Sequence, residues 1–405
     1  MREMKDSGVR WIGKIPTKWT IAKAKNCVEI QNGSDPKTEG SIPVYGSGSM
    51  SFKTCGEYKE GPSVLIGRKG ATLHIPNYIS SKFWNVDTAF NVYSKSIFDL
   101  KYYFYCAHVF DYTLYMSQTT LPSMTQTAYE NMFLPLPTKE EQYAIANQLD
   151  QICSKIDAVL EKTRASIEEY KKLKQAVITQ AVTKGIRGDR PMKDSGIEWI
   201  GEIPAEWTAS KIKYCTEFAP SCNTSHLSED SLVTFTPMEC IKNGYFEKRE
   251  APFSALSSSY TQYQEGDIAF AKVTPCFENG NIAIMQGLSA GFGFGSSELF
   301  VIRPKSVNAE FIFYYLQNDI FKQYACATMT GTGGLKRVSP TFVRNYSVFI
   351  PSNEEQSEIV RYLNEKCSGI EVMIAKKQQY LTEIENYKKS LIYEYVTGKK
   401  EVLPL

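Results

Sequence analysis

The 405-residue sequence has little of the raw material for metal sites, catalytic triads or disulfides. It contains only three histidines, far apart, and its ten cysteines include no CxxC pair. Scattered cysteines in a long chain predict buried free thiols in a reducing compartment. No apolar run approaches the roughly 18 residues of a membrane helix, and the first residues lack a signal peptide's apolar core. We therefore expect a cytoplasmic protein with no metal site and no membrane contact.

The sequence also lacks an excess of charge of either sign, since it contains 46 Lys and Arg and 44 Asp and Glu. A net charge of +2 neither requires nor excludes a polyanionic partner. Residues 8–15 lack the Ser or Thr of a phosphate-binding P-loop, and no GxGxxG or Asn/Asp-Pro-Pro-aromatic motif is present. The paired acids at 140–141 and 354–355 suit a helix N-terminus better than an acid–base pair. We therefore predict a chain that is not itself an enzyme.

What the sequence does contain is an internal repeat. Residues 5–19, KDSGVRWIGKIPTKW, recur at 193–207 as KDSGIEWIGEIPAEW, a shift of 193 − 5 = 188. A repeat of this length predicts two copies of one structural unit. Four of the five tryptophans lie in the two copies, which favours a packing role for them. The predicted structural anchors are Trp11, Trp19, Trp199 and Trp207.

A second repeat begins two long helices. The segment LPTKEEQ at 136–142 recurs as IPSNEEQ at 350–356, a shift of 350 − 136 = 214. In each copy a Thr or Ser precedes a Glu by three residues, which is the capping-box pattern of a helix start. Apolar residues then recur in steps of three and four, including Val159 and Met373. These patterns predict spacer helices at 138–185 and at 352–400, the latter including a tail.

Neither helix has another long amphipathic partner in the chain, so we expect the two to pack on one another as a coiled coil. A pseudo-twofold relation between two like units favours the antiparallel arrangement. The segments beside the helices, 1–137 and 186–351, contain short strand-like apolar runs at 63–67, 89–93, 267–272 and 299–303. These runs are bounded by Gly, Pro and Asn, and aromatic-rich helical stretches follow them. The predicted fold is therefore α+β, with two similar mixed α/β globular domains joined by two long antiparallel coiled-coil helices.

Polar loops follow the strand-like runs. In the first domain these include residues 45–48 and the Gly-Arg-Lys-Gly turn at 67–70. In the second they include 271–274 and the Gly-rich loop at 331–337. Open backbone with cationic donors suits phosphate contacts, although such loops are more often simply solvated turns. The residue types alone leave both interpretations open.

The duplicated KDSGxxWxGxIPxxW and Pro-x-x-Glu-Glu-Gln motifs, in this order along the whole chain, resemble the specificity subunit of type I restriction-modification enzymes. The resemblance implies two target-recognition domains, each reading one half of a split, asymmetric sequence in double-stranded DNA. The helix pair would act as a ruler between them. The implied partners are two modification subunits, which carry S-adenosylmethionine, and motor-nuclease subunits, which use ATP and Mg²⁺. No cofactor is expected on this chain.

That family has no fixed base-contacting motif, so loop chemistry selects the candidate residues. Two alternatives remain open: a recognition subunit of a type II system that cuts beside its site, and a coiled-coil scaffold that binds only proteins. The candidate DNA-binding residues are Lys53, Arg68, Lys69, Thr120, Lys272, Asn279, Lys336 and Arg337.

Overall fold

The computed structural model divides into two units of similar construction. The first unit comprises Met1–Ala165 and Lys377–Leu405, and the second comprises Ser166–Lys376. Each is a mixed α/β body that includes parts of two long helices. The structure describes residues 2–117, 121–225, 227–256, 259–332 and 334–402.

The first unit holds a four-stranded sheet, a three-stranded sheet and two short two-stranded ladders. The apolar runs predicted as strands at 63–67 and 89–93 are confirmed. Its strands are β1 (Met4–Asp6), β2 (Lys14–Pro16), β3 (Thr20–Lys23), β4 (Val28–Asn32), β5 (Ile42–Tyr45), β6 (Ser51–Cys55), β7 (Ser63–Gly67), β8 (Asn77–Ile79), β9 (Trp84–Asn85), β10 (Ala89–Ser94) and β11 (Phe133–Leu136).

The second unit holds two four-stranded sheets and two short two-stranded ladders. The predicted strands at 267–272 and 299–303 are confirmed. Its strands are β12 (Met192–Asp194), β13 (Glu202–Pro204), β14 (Thr208–Lys211), β15 (Thr216–Phe218), β16 (Leu232–Thr236), β17 (Arg249–Pro252), β18 (Thr261–Gln264), β19 (Ile268–Ala271), β20 (Ile282–Ile284), β21 (Phe292–Gly295), β22 (Leu299–Pro304) and β23 (Ser347–Ile350).

The sheet topology is repeated as well as the sequence motifs. The main sheet of the first unit has the antiparallel order β4-β10-β7-β8, and that of the second has the equivalent order β15-β22-β19-β20. In the first unit the smaller sheet has the order β6-β5-β9, with β5 and β9 parallel. Its counterpart, β17-β16-β21-β18, keeps the parallel pair β16 and β21 and adds β18 at one edge. Both units therefore share one fold.

Short helices cover the sheets, and two long helices complete both units. The aromatic-rich stretches predicted as helical lie in α2 and α6, and their aromatic side chains are largely buried. Helix α4 runs from the first unit into the second, and α9 runs from the second into the first. The helices are α1 (Ala24–Cys27), α2 (Leu100–Ala107), α3 (Gln126–Asn131), α4 (Lys139–Lys184), α5 (Ile212–Cys215), α6 (Ala309–Gln317), α7 (Asp319–Ala327), α8 (Pro340–Asn345) and α9 (Asn353–Val396).

The two long helices start where the capping boxes predict. The backbone N–H of Glu141 donates to Thr138 Oγ1 over 3.3 Å, and that of Glu355 donates to Ser352 Oγ over 3.3 Å. The Thr138 N–H donates in turn to the Glu141 carboxylate. These bonds satisfy N–H groups that the first helical turn leaves free.

In the first unit, α4 and α9 pair antiparallel. Lys388 Nζ lies 2.6 Å from Asp157 Oδ1, and Arg164 Nη2 lies 2.7 Å from Glu385 Oε1. The residue number thus rises along α4 while it falls along α9. All four side chains are at least partly exposed, so these ion pairs add little stability. They show the relative direction of the two helices.

In the second unit, the same antiparallel direction is found. Lys174 Nζ lies 2.5 Å from Glu371 Oε1, and just beyond the end of α4 Arg187 Nη2 lies 2.8 Å from Glu358 Oε2. Apolar residues near the helix ends are buried in each unit. The predicted antiparallel helix pair is therefore confirmed within both units.

Two equivalent cysteines give a test of core burial. Cys27 and Cys215, separated by the 188-residue repeat, are buried, and burial raises the pKa of both thiols to about 11. Unfolded thiols ionise near pH 8.5, so above that pH the unfolded state loses protons that the native state keeps. Stability is therefore expected to fall as pH rises from about 8.5 to 11, by about 1.4 kcal/mol per pH unit for each thiol.

Urea unfolding at a series of alkaline pH values measures this effect. The Cys27→Ala/Cys215→Ala double variant is less stable near neutral pH, but its stability falls less steeply above about pH 8.5. Equal slopes for the wild-type chain and the double variant would contradict the assignment of alkaline instability to these two thiols.

Candidate nucleic-acid interface

A cationic turn follows the fully buried strand β7 in the first unit. The N–H groups of Arg68 and Lys69 both donate to the carbonyl of Thr88, over 2.7 Å and 3.3 Å. The Arg68 guanidinium carbon lies 5.8 Å from the centre of the Phe90 ring. Lys69 Nζ lies 3.3 Å from Asp87 Oδ2, and both side chains remain partly exposed. The turn therefore holds two cations beside the end of the main sheet.

A second loop, which includes Pro122 and Met124, forms backbone hydrogen bonds with this turn. The N–H of Met124 donates to the Arg68 carbonyl over 2.9 Å, and the N–H of Gly70 donates to the Pro122 carbonyl over 3.0 Å. Arg68 is thus tied through its backbone to both neighbouring segments. Its Nη1 donates to the Asp87 carbonyl over 3.5 Å, and the other N–H groups of the guanidinium can donate to a further acceptor. The candidate Thr120 falls outside the described residues.

The second unit builds the same turn after strand β19. The N–H of Lys272 donates to the Glu298 carbonyl over 3.0 Å, and the Lys272 carbonyl accepts from the Val338 N–H over 2.9 Å. Lys272 Nζ lies 5.9 Å from the centre of the Phe300 ring. Lys272 therefore occupies the position of Arg68. In both residues the backbone N–H donates to the residue just before the neighbouring buried strand, and the backbone carbonyl accepts from the returning loop.

An ion pair gives the second turn a feature of its own. Arg337 Nε and Nη2 donate to the two oxygens of Glu298 over 2.9 Å and 2.7 Å. These hydrogen bonds hold the pKa of the Glu298 carboxyl below its usual value. The paired contact fixes the guanidinium plane and leaves Nη1 to donate elsewhere. The exposed Lys336 precedes Arg337, and its backbone carbonyl accepts from the Thr274 N–H over 2.9 Å.

The second turn borders an open concavity of about 700 Å³. Cationic, hydroxyl and aromatic groups share its wall, which suits an anionic ligand that also carries flat rings. Its lining includes Lys272, Phe300, Thr330, Arg337, Val338 and Phe342.

The two remaining candidates lie outside these clusters. Lys53 is exposed on strand β6, with its Nζ 5.6 Å from the centre of the Phe52 ring. Asn279 is exposed on the loop before β20, where its N–H donates to the Pro275 carbonyl over 3.0 Å. The structure thus brings together Arg68 with Lys69, and Lys272 with Lys336 and Arg337.

The sequence matches the model of the family described as "Type I restriction modification DNA specificity domain" over residues 16–169 and 242–383. These two regions cover more than half of the chain, and each contains one of the cationic turns. The chain belongs to this type I specificity family. The motif resemblance found in the sequence is thereby confirmed.

Relatives within the type I specificity family come from Escherichia coli. The specificity subunit of type I restriction enzyme EcoEI is 30% identical over 221 residues, which are 52% of this chain and 36% of that protein. The EcoAI specificity subunit is 32% identical over 46% of this chain and 32% of its own length. The chain thus spans about a third of the length of each of these relatives. The EcoDI specificity subunit is 21% identical over 96% of this chain and 90% of that protein.

One solved structure shares the fold of this chain over most of its length. It was described under "Structural basis underlying complex assembly and conformational transition of the type I R-M system". The match has a TM-score of 0.69 at 12% identity and covers 95% of this chain and 99% of the other. At that identity the match establishes a shared fold.

The repeated tryptophans of this type I specificity chain lie away from the cationic turns. Trp11, Trp19 and Trp207 are buried, and Trp199 is half-buried with its ring centre 6.4 Å from that of Tyr346. Trp11 packs edge-on against Phe110. Each motif therefore has a structural role and packs between a domain and the end of a long helix.

Indole hydrogen bonds tie the motif to the starts of both long helices. Trp19 Nε1 donates to Glu141 over 3.1 Å, and Trp207 Nε1 donates to Glu355 over 3.1 Å. The second acid of each Glu-Glu pair therefore serves the fold, by receiving the repeated tryptophan at a helix N-terminus.

Sequence reasoning missed several residues of this candidate interface. Glu298 orients Arg337, while Phe90 and Phe300 lie beneath Arg68 and Lys272. A signal was present, because Phe90 and Phe300 occupy the same place in the two predicted strands. In the part of the chain that the structure describes, no group of three His, Cys, Asp or Glu is placed to hold a metal ion. Within the same residues, no helix is both long and apolar enough to cross a membrane.

Proposed function

We propose that this chain is the non-catalytic DNA-recognition subunit of a type I restriction-modification complex. The first unit reads one half of a split, asymmetric target, and the second unit reads the other half. The lengths of α4 and α9 set the number of base pairs between the halves. Family membership and the duplicated fold support this proposal.

The observation that carries the proposal is the duplicated cationic turn. Arg68 and Lys272 take the same position on two copies of one sheet, and each backbone is tied at both its N–H and its carbonyl. A fixed backbone with a partly exposed cationic side chain is suited to hydrogen bonding with phosphates or guanine edges. Two such turns on one chain match a target with two separate halves.

The chemistry of the complex belongs, in this proposal, to its partners. Two modification subunits carry S-adenosylmethionine and methylate adenine, and motor-nuclease subunits use ATP and Mg²⁺ to cleave unmodified DNA. The present chain contributes the choice of sequence.

Selection from a pool of duplexes with a randomised central segment tests this proposal. The full chain, purified with its modification subunits, is expected to enrich one motif of two unequal halves and a fixed spacer. The Arg68→Ala/Lys272→Ala double variant is expected to lose that enrichment. Failure to enrich any duplex would support a scaffold that binds only proteins, and enrichment of one unsplit motif would contradict two independent readers.

Replacing Arg68 alone is expected to affect only one half of the motif. A direct contact from Arg to guanine contributes about 1–3 kcal/mol of discrimination, so Arg68→Ala should relax preference at one position by about 5- to 150-fold. Competition binding with single-base variants of the selected duplex measures this change.

Lys272→Ala is the matched control, because it makes the equivalent change in the other unit. It is expected to leave the half affected by Arg68→Ala unchanged. Equal loss of preference in both halves for either variant would contradict independent recognition.

A further inference from the structure

An exposed β-ribbon projects beside the cationic turn of the first unit. Strands β5 and β6 form a hairpin, and β6 is the edge strand of its three-stranded sheet. The first four residues of β6 are all exposed, and only Cys55 is buried. Because side chains alternate along a strand, β6 is open to solvent on both faces over these four residues.

Large apolar side chains occupy the exposed end of the ribbon. Met50 is 82% exposed and Phe52 is 61% exposed. Adjacent exposed apolar groups on an otherwise polar loop mark a contact surface for a partner. Lys53 extends from the same strand, with its Nζ 5.6 Å from the centre of the Phe52 ring.

Direct contacts hold the ribbon tip against the cationic turn. A side-chain carbon built on Gly46 would lie 3.0 Å from Thr88 Oγ1 and 3.8 Å from the Phe52 ring. The carbonyl of the same Thr88 accepts the N–H groups of Arg68 and Lys69. Gly46, beside Phe52, therefore lies close to Thr88, the residue that holds the backbone of the two cations.

The loop that joins the two strands is fixed as well. Ser47 Oγ lies 3.0 Å from Thr72 Oγ1, and Asn77 Nδ2 donates to the Ser49 carbonyl over 2.9 Å. The tip is thus a positioned part of the interface, and its apolar side chains are presented in a defined place.

We infer that this ribbon enters the major groove and that Phe52 and Met50 contact thymine methyl groups. The inference rests on the proposed function and names the chemistry that the first unit reads. The major groove admits a two-stranded ribbon, and the thymine 5-methyl is the apolar group displayed there. Lys53 and the Arg68 turn supply the polar contacts on either side. The half-site of the first unit therefore contains a thymine.

In the second unit, charged side chains replace Phe52 on the strand that corresponds to β6, and the 59% exposed Tyr245 lies on the loop before that strand. Its edge strand β17 presents Arg249 and Glu250, which are paired with Glu239 and Lys248. Recognition through thymine methyls is therefore assigned to the first half-site alone, and the second half-site serves as an internal reference.

Replacing thymine by deoxyuridine removes the methyl and preserves every base-pairing group. The full chain with its modification subunits is tested on the duplex obtained by random selection, with each thymine changed in turn. Loss of one contacted methyl should weaken binding by about fourfold, which corresponds to about 0.8 kcal/mol. This effect is expected in the half-site that Arg68→Ala alters.

Phe52→Ala is expected to bind the thymine duplex more weakly and to lose the distinction between thymine and uracil. Met50→Ala should reduce the distinction, and Phe52→Leu should retain part of it. Ile97→Ala is the matched control, because Ile97 is a 50% exposed apolar residue of the same unit, on the loop before α2. Unchanged preference in the second half-site shows that each variant is folded.

Three results would overturn the inference. The uracil effect could persist in Phe52→Ala, or no thymine of the first half-site could respond. The third result would show that the side chains unstack the bases as an inserted wedge. The fluorescence of 2-aminopurine in that half-site would then increase on binding, and the affinity would not depend on the thymine methyl. In these cases a selected duplex still supports the proposed function, whereas failure to select any duplex would reject both.

Discussion

Replacing Glu355 with alanine is expected to destabilise the second unit by about 3 kcal/mol, because the buried Arg190 loses its shielded partner and keeps only the more exposed Glu206, 3.1 Å from its Nη1. The Glu355 side chain is 2% exposed and the Arg190 side chain 10% exposed, and Arg190 Nη1 lies 2.5 Å from Glu355 Oε1. Glu355 also accepts the indole N–H of Trp207. The variant loses both bonds in a place that water does not reach.

The internal repeat provides the matched control for this prediction. Glu141 is the equivalent residue of the first unit, where it accepts from Trp19 Nε1 and lies 3.3 Å from Arg2 Nη1. Its side chain is 34% exposed, so water can replace the lost contacts, and Glu141→Ala should cost about 1 kcal/mol. Urea unfolding of the full chain measures both. Equal losses would show that burial of the pair is not what matters.

Gly398→Ala is expected to destabilise the first unit by about 3 kcal/mol, from strained backbone and overpacking together. Gly398 has a φ of +70°, which side chains disfavour. An added side-chain carbon would lie 2.5 Å from Pro16 and 2.9 Å from Trp19, both in the repeated motif. The end of α9 is therefore packed directly on the first copy of the motif.

Gly196→Ala separates the two causes. Gly196 has the same φ of +70°, but an added side-chain carbon would meet no atom within 4 Å. Its replacement should therefore cost only about 1 kcal/mol, from the backbone alone. Thermal or urea unfolding of the two variants gives the comparison. A Gly398→Ala variant no less stable than Gly196→Ala would contradict close packing at this helix end.

The repeat, the long helices and their starts could be predicted from sequence because their signals are local. A capping Thr and Glu lie three residues apart, and a helical stripe recurs every three or four residues. Which apolar residues of the stripe face the partner helix was harder to predict from the sequence. Val159 is 41% exposed while neighbouring Leu160 is 4% exposed. Adjacent apolar residues compete for one seam, and only the partner helix decides between them.

The candidate interface was predicted less completely, because its geometry depends on residues distant in sequence. Glu298 and Arg337 are 39 residues apart, and no local pattern connects them. The equivalence of Arg68 and Lys272 needs the shared strand register and the returning loop, since one is Arg and the other Lys. The residue types of the loops identify candidate cations, but only the folded structure shows which of them lie together.

The central claim is that two copies of one DNA reader are joined by helices whose length sets the spacer. Inserting seven residues at equivalent places in α4 and α9 should lengthen the helix pair by about 10 Å, which is about three base pairs at roughly 3.4 Å each. Random-duplex selection with this variant measures the outcome directly. The account predicts the same two half-sites separated by about three more base pairs. An unchanged spacer, or altered half-sites, would contradict it.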